Sequence, residues 1–187
     1  RRLFADAQEY ERRKTDFRKN QMQSLAAPAA DLEALGPALR GELPVVIDAN
    51  RQSDIASALR LAREFRLRLI IRGGVEAWKL ASDLAAAKVP VILNPIDDIP
   101  TFDGPGARFD AATLLQRAGV SVILTESQSG GPRNLRWSAG HAVRFGMSWD
   151  AALTAITLAP ARAFGVDDRY GSLERGKVAD VVVWSAD

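Results

Sequence analysis

LPVVIDANRQSDIASALRLAREFRLRLIIRGG (43–74) contains the alternation that decides the fold. Residues 45–47 are a short β-branched run, which predicts a buried strand. Apolar residues at helical spacing predict a helix over residues 53–65, with Ser53 as its capping residue. Residues 68–71 form the next predicted strand, closed by two glycines. A strand, a helix and a second strand in this order predict a βαβ unit with parallel strands.

The same rhythm continues towards the carboxyl terminus. Two further predicted strands cover residues 89–93 and 120–124. The predicted helices that follow the second strand cover residues 75–87, 109–118, 134–145, 148–157 and 160–165. Four strands that alternate with helices predict an α/β fold with a parallel sheet and right-handed crossovers.

Both ends of the chain lie outside this rhythm. Residues 1–30 are interpreted as an amphipathic helix over 3–23 followed by a linker, and residues 31–165 as the α/β unit. Residues 166–187 hold two turns and a predicted strand over 181–184.

The tail AITLAPARAFGVDDRYGSLERGKVADVVVW (155–184) resembles the carboxyl-terminal signature of the amidohydrolase superfamily, in particular its imidazolonepropionase-like branch. The positions that carry the resemblance are Thr157, Pro160-Ala161, Gly165, Gly171-Ser172, Gly176-Lys177 and Ala179-Asp180. Stretches 43–55 and 70–78 also resemble segments of that family, so the resemblance covers residues 31–187.

The resemblance implies a (β/α)8 barrel, also called a TIM-type barrel, with a small β-sandwich beside it. The chain would supply the last four βα units, which is a partial barrel, and one carboxyl-terminal strand of the sandwich. The family hydrolyses amide and other C–N bonds of small, often cyclic molecules. Its one or two divalent metals, zinc among them, activate water at the barrel mouth.

The strand ends depart from the family pattern at its metal ligands. Asp48 stands where the family usually keeps a His, and Arg72-Gly73-Gly74 where it keeps a His-Gly-like pair. The fourth strand ends in Thr125-Glu126-Ser127, without the usual Asp. Zinc needs about three or four imidazole or anionic ligands, and a fixed guanidinium opposes a dication. We therefore expect no tightly bound zinc and no cofactor in this chain. The single His of the chain, His141, is interpreted as a helix-face residue.

The same strand ends predict a polar site at the barrel mouth. The candidate substrate-binding residues are Asp48, Asn50, Arg72, Asn94, Glu126 and Ser127. Asp48 and Arg72 lie on adjacent predicted strands, so they form a structural ion pair, belong to a retained ligand pocket or line a solvated mouth. Glu126 is either a pocket residue or a residue that orders its loop. The Asp97-Asp98 pair is interpreted as a solvated turn.

Composition limits the classes of partner. The 187 residues carry a net charge of +2 and no Cys, and their basic residues are spread out, so no nucleic-acid partner is expected. No apolar run approaches the ~20 residues of a membrane span, so the chain is expected to be soluble and without a membrane partner. The chain opens with Arg1-Arg2-Leu3, so targeting and compartment stay open. Because half a barrel leaves sheet edges unpaired, we expect a missing amino-terminal half or a homo-oligomer as partner.

Three hypotheses for function follow. In the first, the chain is the carboxyl-terminal portion of an amidohydrolase-family hydrolase, inactive in isolation, that acts on a C–N bond of a small molecule. In the second, it is a metal-free degenerate relative that binds a small molecule or scaffolds a partner subunit. In the third, it is an unrelated doubly wound α/β domain, for which the closing tail has no explanation.

Overall fold

The computed structural model describes residues 1–18, 25–97, 99–102, 104–126 and 134–183. Its four strands are Val45–Ala49 (β1), Leu69–Gly73 (β2), Val91–Leu93 (β3) and Val122–Leu124 (β4). All three neighbouring pairs are parallel, and the strand order is β1-β2-β3-β4. The predicted α/β fold with a parallel sheet is therefore confirmed. This sequential order is the order expected of consecutive strands of a barrel.

The two faces of the sheet differ in what covers them. Ile47, Ile71, Val91 and Val122 are paired across the four strands and therefore share one face. This face belongs to the main hydrophobic core with the surrounding helices. The opposite face carries the row Asp48, Arg72, Ile92 and Ile123. None of these four side chains belongs to the main core, so the polar end of the sheet lies on the face turned away from it.

Four short helices precede the sheet. They are Arg2–Arg12 (α1), Lys14–Arg18 (α2), Ala29–Ala34 (α3) and Gly36–Leu39 (α4). The single predicted helix over 3–23 is wrong, because Arg13 leaves helical geometry with φ −122° and ψ 30°. Residues 19–23 of that predicted helix and Ser24, the first residue of the predicted linker over 24–30, lie outside the described residues. Ala7, Tyr10 and Leu32 form a small second core, which attaches α1 to α3.

The remaining helices follow the strands as predicted, with one exception. They are Gln52–Phe65 (α5), Ala81–Ala86 (α6), Ala111–Arg117 (α7), Leu135–Arg144 (α8), Trp149–Ile156 (α9) and Leu158–Phe164 (α10). The helix predicted over 75–87 is wrong in its first half, where a 3-10 helix, Ala77–Leu80, precedes α6. None of the helices in the described ranges is both long and apolar enough to cross a membrane.

Ser53 does not cap α5. The capping position is Arg51, and the Ser53 hydroxyl donates to the Asp54 carboxylate at 3.2 Å instead. The backbone N–H of Gln52 donates to the carboxylate of Glu76 at 2.9 Å, so a residue distant in sequence serves the start of this helix.

The predicted strand over 181–184 is not formed in residues 181–183. These residues have no strand geometry, and Val183 is 89% exposed. The physical reason is that a strand needs a hydrogen-bonding neighbour, and the described chain offers none beside this segment. Trp184 lies outside the described residues. The assignment of residues 166–187 to a β-sandwich therefore stays a prediction.

Candidate functional site

Parallel strands bring their carboxyl ends to one edge of the sheet, and the candidate residues lie at this edge. Asp48 is the penultimate residue of β1, and Arg72 is the penultimate residue of β2. The two are direct partners in the register of the sheet. The structure therefore brings together the two candidates that carry opposite charges.

Asp48 and Arg72 form a two-point ion pair. Nη2 of Arg72 donates to Oδ2 of Asp48 at 2.6 Å, and its Nε donates to Oδ1. Both side chains are more than half exposed, so the pair faces solvent. The hydrogen bond from Arg72 holds the pKa of Asp48 below its ordinary value, and the pKa of Arg72 is raised in return. The predicted contact between Asp48 and Arg72 is therefore formed, and the role of the pair stays a prediction.

Asp48 also borders an open cleft of about 610 Å³ beside the free edge of β1. The far wall is α5, whose Asp54, Ser57, Arg60 and Glu64 line the cleft. The ion pair therefore stands at the border of a space large enough for a small organic molecule.

Asn94 mainly orders its own loop. Its side-chain oxygen accepts from the backbone N–H of Ile96 at 3.1 Å, and its amide donates to Asp97 at 2.7 Å. Asp97 is thereby engaged in the turn, while Asp98 lies outside the described residues. Asn50 is exposed at the exit of β1, and its backbone carbonyl accepts from the N–H of Glu76 at 2.9 Å.

Glu126 lies two residues after β4 and is half-buried. Its Oε2 is buried and has no hydrogen-bond partner among the described residues, and the same holds for Oγ of Ser138 and Nδ1 of His141 on α8. An unpartnered buried oxygen is costly and is typical of a site that a ligand or water completes. Ser127 lies outside the described residues.

His141 lies on a helix, as expected, but packs against aromatic rings. The ring centroids of Phe109 and Phe145 are 5.4 and 4.7 Å from that of His141. Burial lowers the pKa of His141, and the nearby Arg144 lowers it further. Both effects favour the neutral imidazole over the imidazolium.

Glu76 was missed by the sequence prediction, which placed it inside a helix. It is 5% exposed, and its carboxylate accepts from the backbone N–H of Gln52 at 2.9 Å and of Gly106 at 3.1 Å. Lys79 Nζ lies 2.7 Å from its Oε1. The hydrogen bond from Lys79, followed by that from Gln52, lowers the pKa of Glu76. The one signal in the sequence was the pair Gly104 and Gly106 in the long loop that Glu76 contacts.

The donor set at the mouth does not fit a divalent metal. Within the described ranges, no group of three or more His, Cys, Asp or Glu side chains is placed to hold a metal ion. Both oxygens of Asp48 are engaged by Arg72, and the guanidinium would repel a dication. No step that uses a metal is derived for these residues. The expectation of no tightly bound zinc stays a prediction.

Comparison with known proteins finds a family whose model matches part of the chain. The model of the amidohydrolase family matches residues 106–187. An imidazolonepropionase of Legionella pneumophila (strain Corby) is 38% identical over 76 residues, which are 38% of this chain and 19% of that protein.

Solved structures agree with this result. The match to an amidohydrolase from Thermotoga maritima MSB8 covers 95% of this chain and 47% of that protein, with 28% sequence identity and a TM-score of 0.82. An adenosine deaminase from Xanthomonas campestris, solved with bound zinc, matches 82% of this chain and 40% of its own, with 26% identity and a TM-score of 0.53. The matched parts span less than half of each of these relatives.

The parallel sheet and these structural matches agree with a partial (β/α)8 barrel. Together, the family match, the relatives and the solved structures support the assignment of the chain to the amidohydrolase superfamily, in its imidazolonepropionase-like branch.

Proposed function

We propose that the chain is the substrate-binding, carboxyl-terminal half of an amidohydrolase-family hydrolase that acts on an amide or other C–N bond of a small, often cyclic molecule. In isolation it binds the molecule without hydrolysing it. Family membership supports the reaction class, and the polar strand ends support the place of binding.

The observation that carries the proposal is the exposed Asp48–Arg72 pair at the carboxyl edge of the sheet. A guanidinium that donates to a carboxylate through two of its nitrogens still has further N–H groups. These can donate to a second acceptor, such as a substrate carbonyl or carboxylate. Asp48 keeps Arg72 in place and borders the cleft. We propose Asn50, Asn94, Glu126 and Ser127 as the further substrate-binding residues.

A second candidate function is a metal-free relative that binds a small molecule or scaffolds a partner subunit. One observation favours it, namely that Arg72 stands at a strand end where the family implies a metal ligand. The residues encoded before Arg1 separate the two functions. A His-x-His motif after a hydrophobic strand favours the hydrolase, and its absence favours the metal-free relative.

The test measures melting of the chain with a panel of small lactams, cyclic imides and linear amides, with and without added zinc, while turnover is followed in parallel. We expect stabilisation by some of the panel without turnover, and loss of this stabilisation in Arg72→Met. Arg40→Met is the matched control, because it removes another exposed ion pair, with Glu42, far from the strand ends. Turnover by the isolated chain would show that its expected inactivity is wrong. Absence of both stabilisation and turnover would count against a binding site in this half.

A further inference from the structure

We infer that the described residues of 99–108 form a strap across the mouth of the half barrel and that Glu76 is the latch that holds the strap down. The strap consists of residues 99–102 and 104–108. Glu76 is a positioning residue, since it acts on the mouth through the strap. The inference goes beyond the proposed function. It holds whether the chain is half of a hydrolase or a metal-free relative.

The path of the strap follows from one contact. The loop leaves β3 after Leu93, yet the carbonyl of Phe102 accepts from Nη2 of Arg51 at 3.0 Å. Arg51 lies two residues after the end of β1, and its guanidinium is 5.2 Å from the ring centroid of Phe102. Because β2 lies between β1 and β3 in the sheet, the loop crosses the exit of β2 before it returns to α7.

The latch joins three segments at one buried carboxylate. Glu76 follows β2, and its carboxylate accepts from Gln52 at the start of α5 and from Gly106 in the strap. The ion pair with Lys79 completes the set. Hydrogen bonds to a buried charged group are among the stronger ones, and their loss leaves an unpaired charge.

A second contact closes the strap on its other side. Nε1 of Trp78 donates to the carbonyl of Gly106 at 2.9 Å. The guanidinium of Arg108 lies 4.8 Å from the Trp78 ring centroid, within the range of a cation–π contact. Glu76 therefore binds the N–H of Gly106, and Trp78 in the 3-10 helix that follows binds its carbonyl, so the indole N–H of Trp78 reports on this contact.

At Gly104 and Gly106 the backbone of the strap lies too close to residues 75–76 to leave room for a side chain. A Cβ at Gly106 would lie 2.5 Å from Oε1 of Glu76, and a Cβ at Gly104 would lie 2.6 Å from Cγ1 of Val75. These distances explain why the sequence has glycine at both positions. They also provide a second way to release the strap without a change at Glu76.

The latch determines what the mouth presents to a ligand. The side chain of Phe102 is 89% exposed, and that of Ile99 is also exposed. The backbone of the same loop is hydrogen-bonded to Arg51 and to Trp78. A docked strap therefore keeps apolar side chains at the same edge as the polar Asp48–Arg72 pair. Release of the strap would remove this apolar rim and leave the sheet and its core intact.

The experiment compares Glu76→Ala and Gly106→Ala with two matched controls. Glu64→Ala removes an exposed carboxylate paired with Arg1, and Gly140→Ala adds a Cβ where no atom lies within 4 Å. Limited trypsin digestion followed by mass spectrometry compares the cut after Arg108, in the strap, with the cut after Arg117, in α7. The second readout is the ¹⁵N–¹H resonance of the Trp78 indole, assigned with Trp78→Phe.

Both strap variants are expected to accelerate the cut after Arg108 about tenfold and to shift the Trp78 resonance, with the cut after Arg117 unchanged. Both controls should match the unmodified chain. Unchanged digestion after Arg108 in both variants would overturn the proposal, as would a parallel rise after Arg117, because Glu76 would then serve the core. Failure of both variants to fold would overturn it for the same reason, while a folded Gly106→Ala tests the strap even if Glu76→Ala does not fold.

Discussion

Arg72 on β2 binds Asp48 on β1 through two guanidinium nitrogens, with Nη2 at 2.6 Å from Oδ2, and the pair lies at the edge where an amidohydrolase barrel opens. The positive guanidinium beside Asp48 disfavours a dication on the same carboxylate, because the two positive charges repel each other. The pair therefore gives the mouth one fixed positive group and one fixed negative group, each oriented by the other. This arrangement suits recognition of a polar small molecule better than coordination of a metal.

The first prediction concerns the coupling within this pair. Asp48→Asn and Arg72→Met should each lower the free energy of unfolding slightly, and the double variant should lose less than the sum of the two. The effects should be small and should shrink at high salt, because both side chains are exposed. Urea unfolding at low and high salt measures them.

Arg40→Met provides the comparison, since Arg40 and Glu42 form an exposed pair outside the site. If the two single changes at the mouth add without coupling, the pair contributes nothing to the fold. Unchanged melting together with lost stabilisation by a bound amide would assign both residues to ligand binding alone.

The second prediction concerns His141, the single His of the chain. Its pKa is lowered by burial and by Arg144, so the native state stays neutral at a pH where the unfolded chain already takes up a proton. Stability should therefore fall as the pH drops through about 6.5, the ordinary pKa of His, and continue to fall until the folded pKa is reached. Denaturant unfolding between pH 5.5 and 7.5 measures this slope.

His141→Phe keeps an aromatic ring beside Phe109 and Phe145 but removes the titrating group. Its stability should change little over the same pH range. A slope equal to that of the unmodified chain would assign the pH dependence to another group.

The sequence predicted the sheet well because its strands carry a local signal. The four predicted strands overlap β1 to β4, and the parallel order follows from the helices between them. The Asp48–Arg72 pair was also within reach, since residues at equivalent strand ends meet in a parallel sheet. By contrast, the strand predicted at 181–184 depended on a partner that the described chain does not contain.

Glu76 shows why the rest of the site could not be predicted. Its donors come from Gln52, 24 residues earlier, and Gly106, 30 residues later. No periodicity links these positions, so an Ala-rich stretch was assigned to one helix over 75–87. The structure instead has a 3-10 helix from Ala77, and Trp78 within it contacts the strap.

The third prediction compares the two faces of the sheet. Ile71 is fully buried in the main core, so Ile71→Ala should cost about 2–5 kcal/mol of unfolding free energy. Val46 is 39% exposed on the opposite face, so Val46→Ala should change it by no more than about 0.5 kcal/mol. Chemical denaturation of both variants provides the measurement. Equal costs would show that something covers Val46 in solution.

The last prediction concerns assembly. In the sheet formed by the described strands, β1 and β4 each have a neighbour on one side only. Their open edges present unpaired N–H and C=O groups, which favour pairing with another chain. Val46 adds an exposed apolar side chain on β1. We therefore expect the 20.3 kDa chain to form dimers as its concentration rises, unless the missing half of a barrel is supplied.

Light scattering across a concentration series measures the mass. Val46→Lys places a charge on the edge strand and should shift the chain towards monomer, because charged side chains at sheet edges oppose pairing. Ser82→Lys is the matched control, since Ser82 is exposed on α6, away from both edges, and it should leave the dimer unchanged. A monomer at high concentration would show that the open edges are not an interface. Equal dissociation by both lysine variants would assign the effect to net charge and not to the edge of β1.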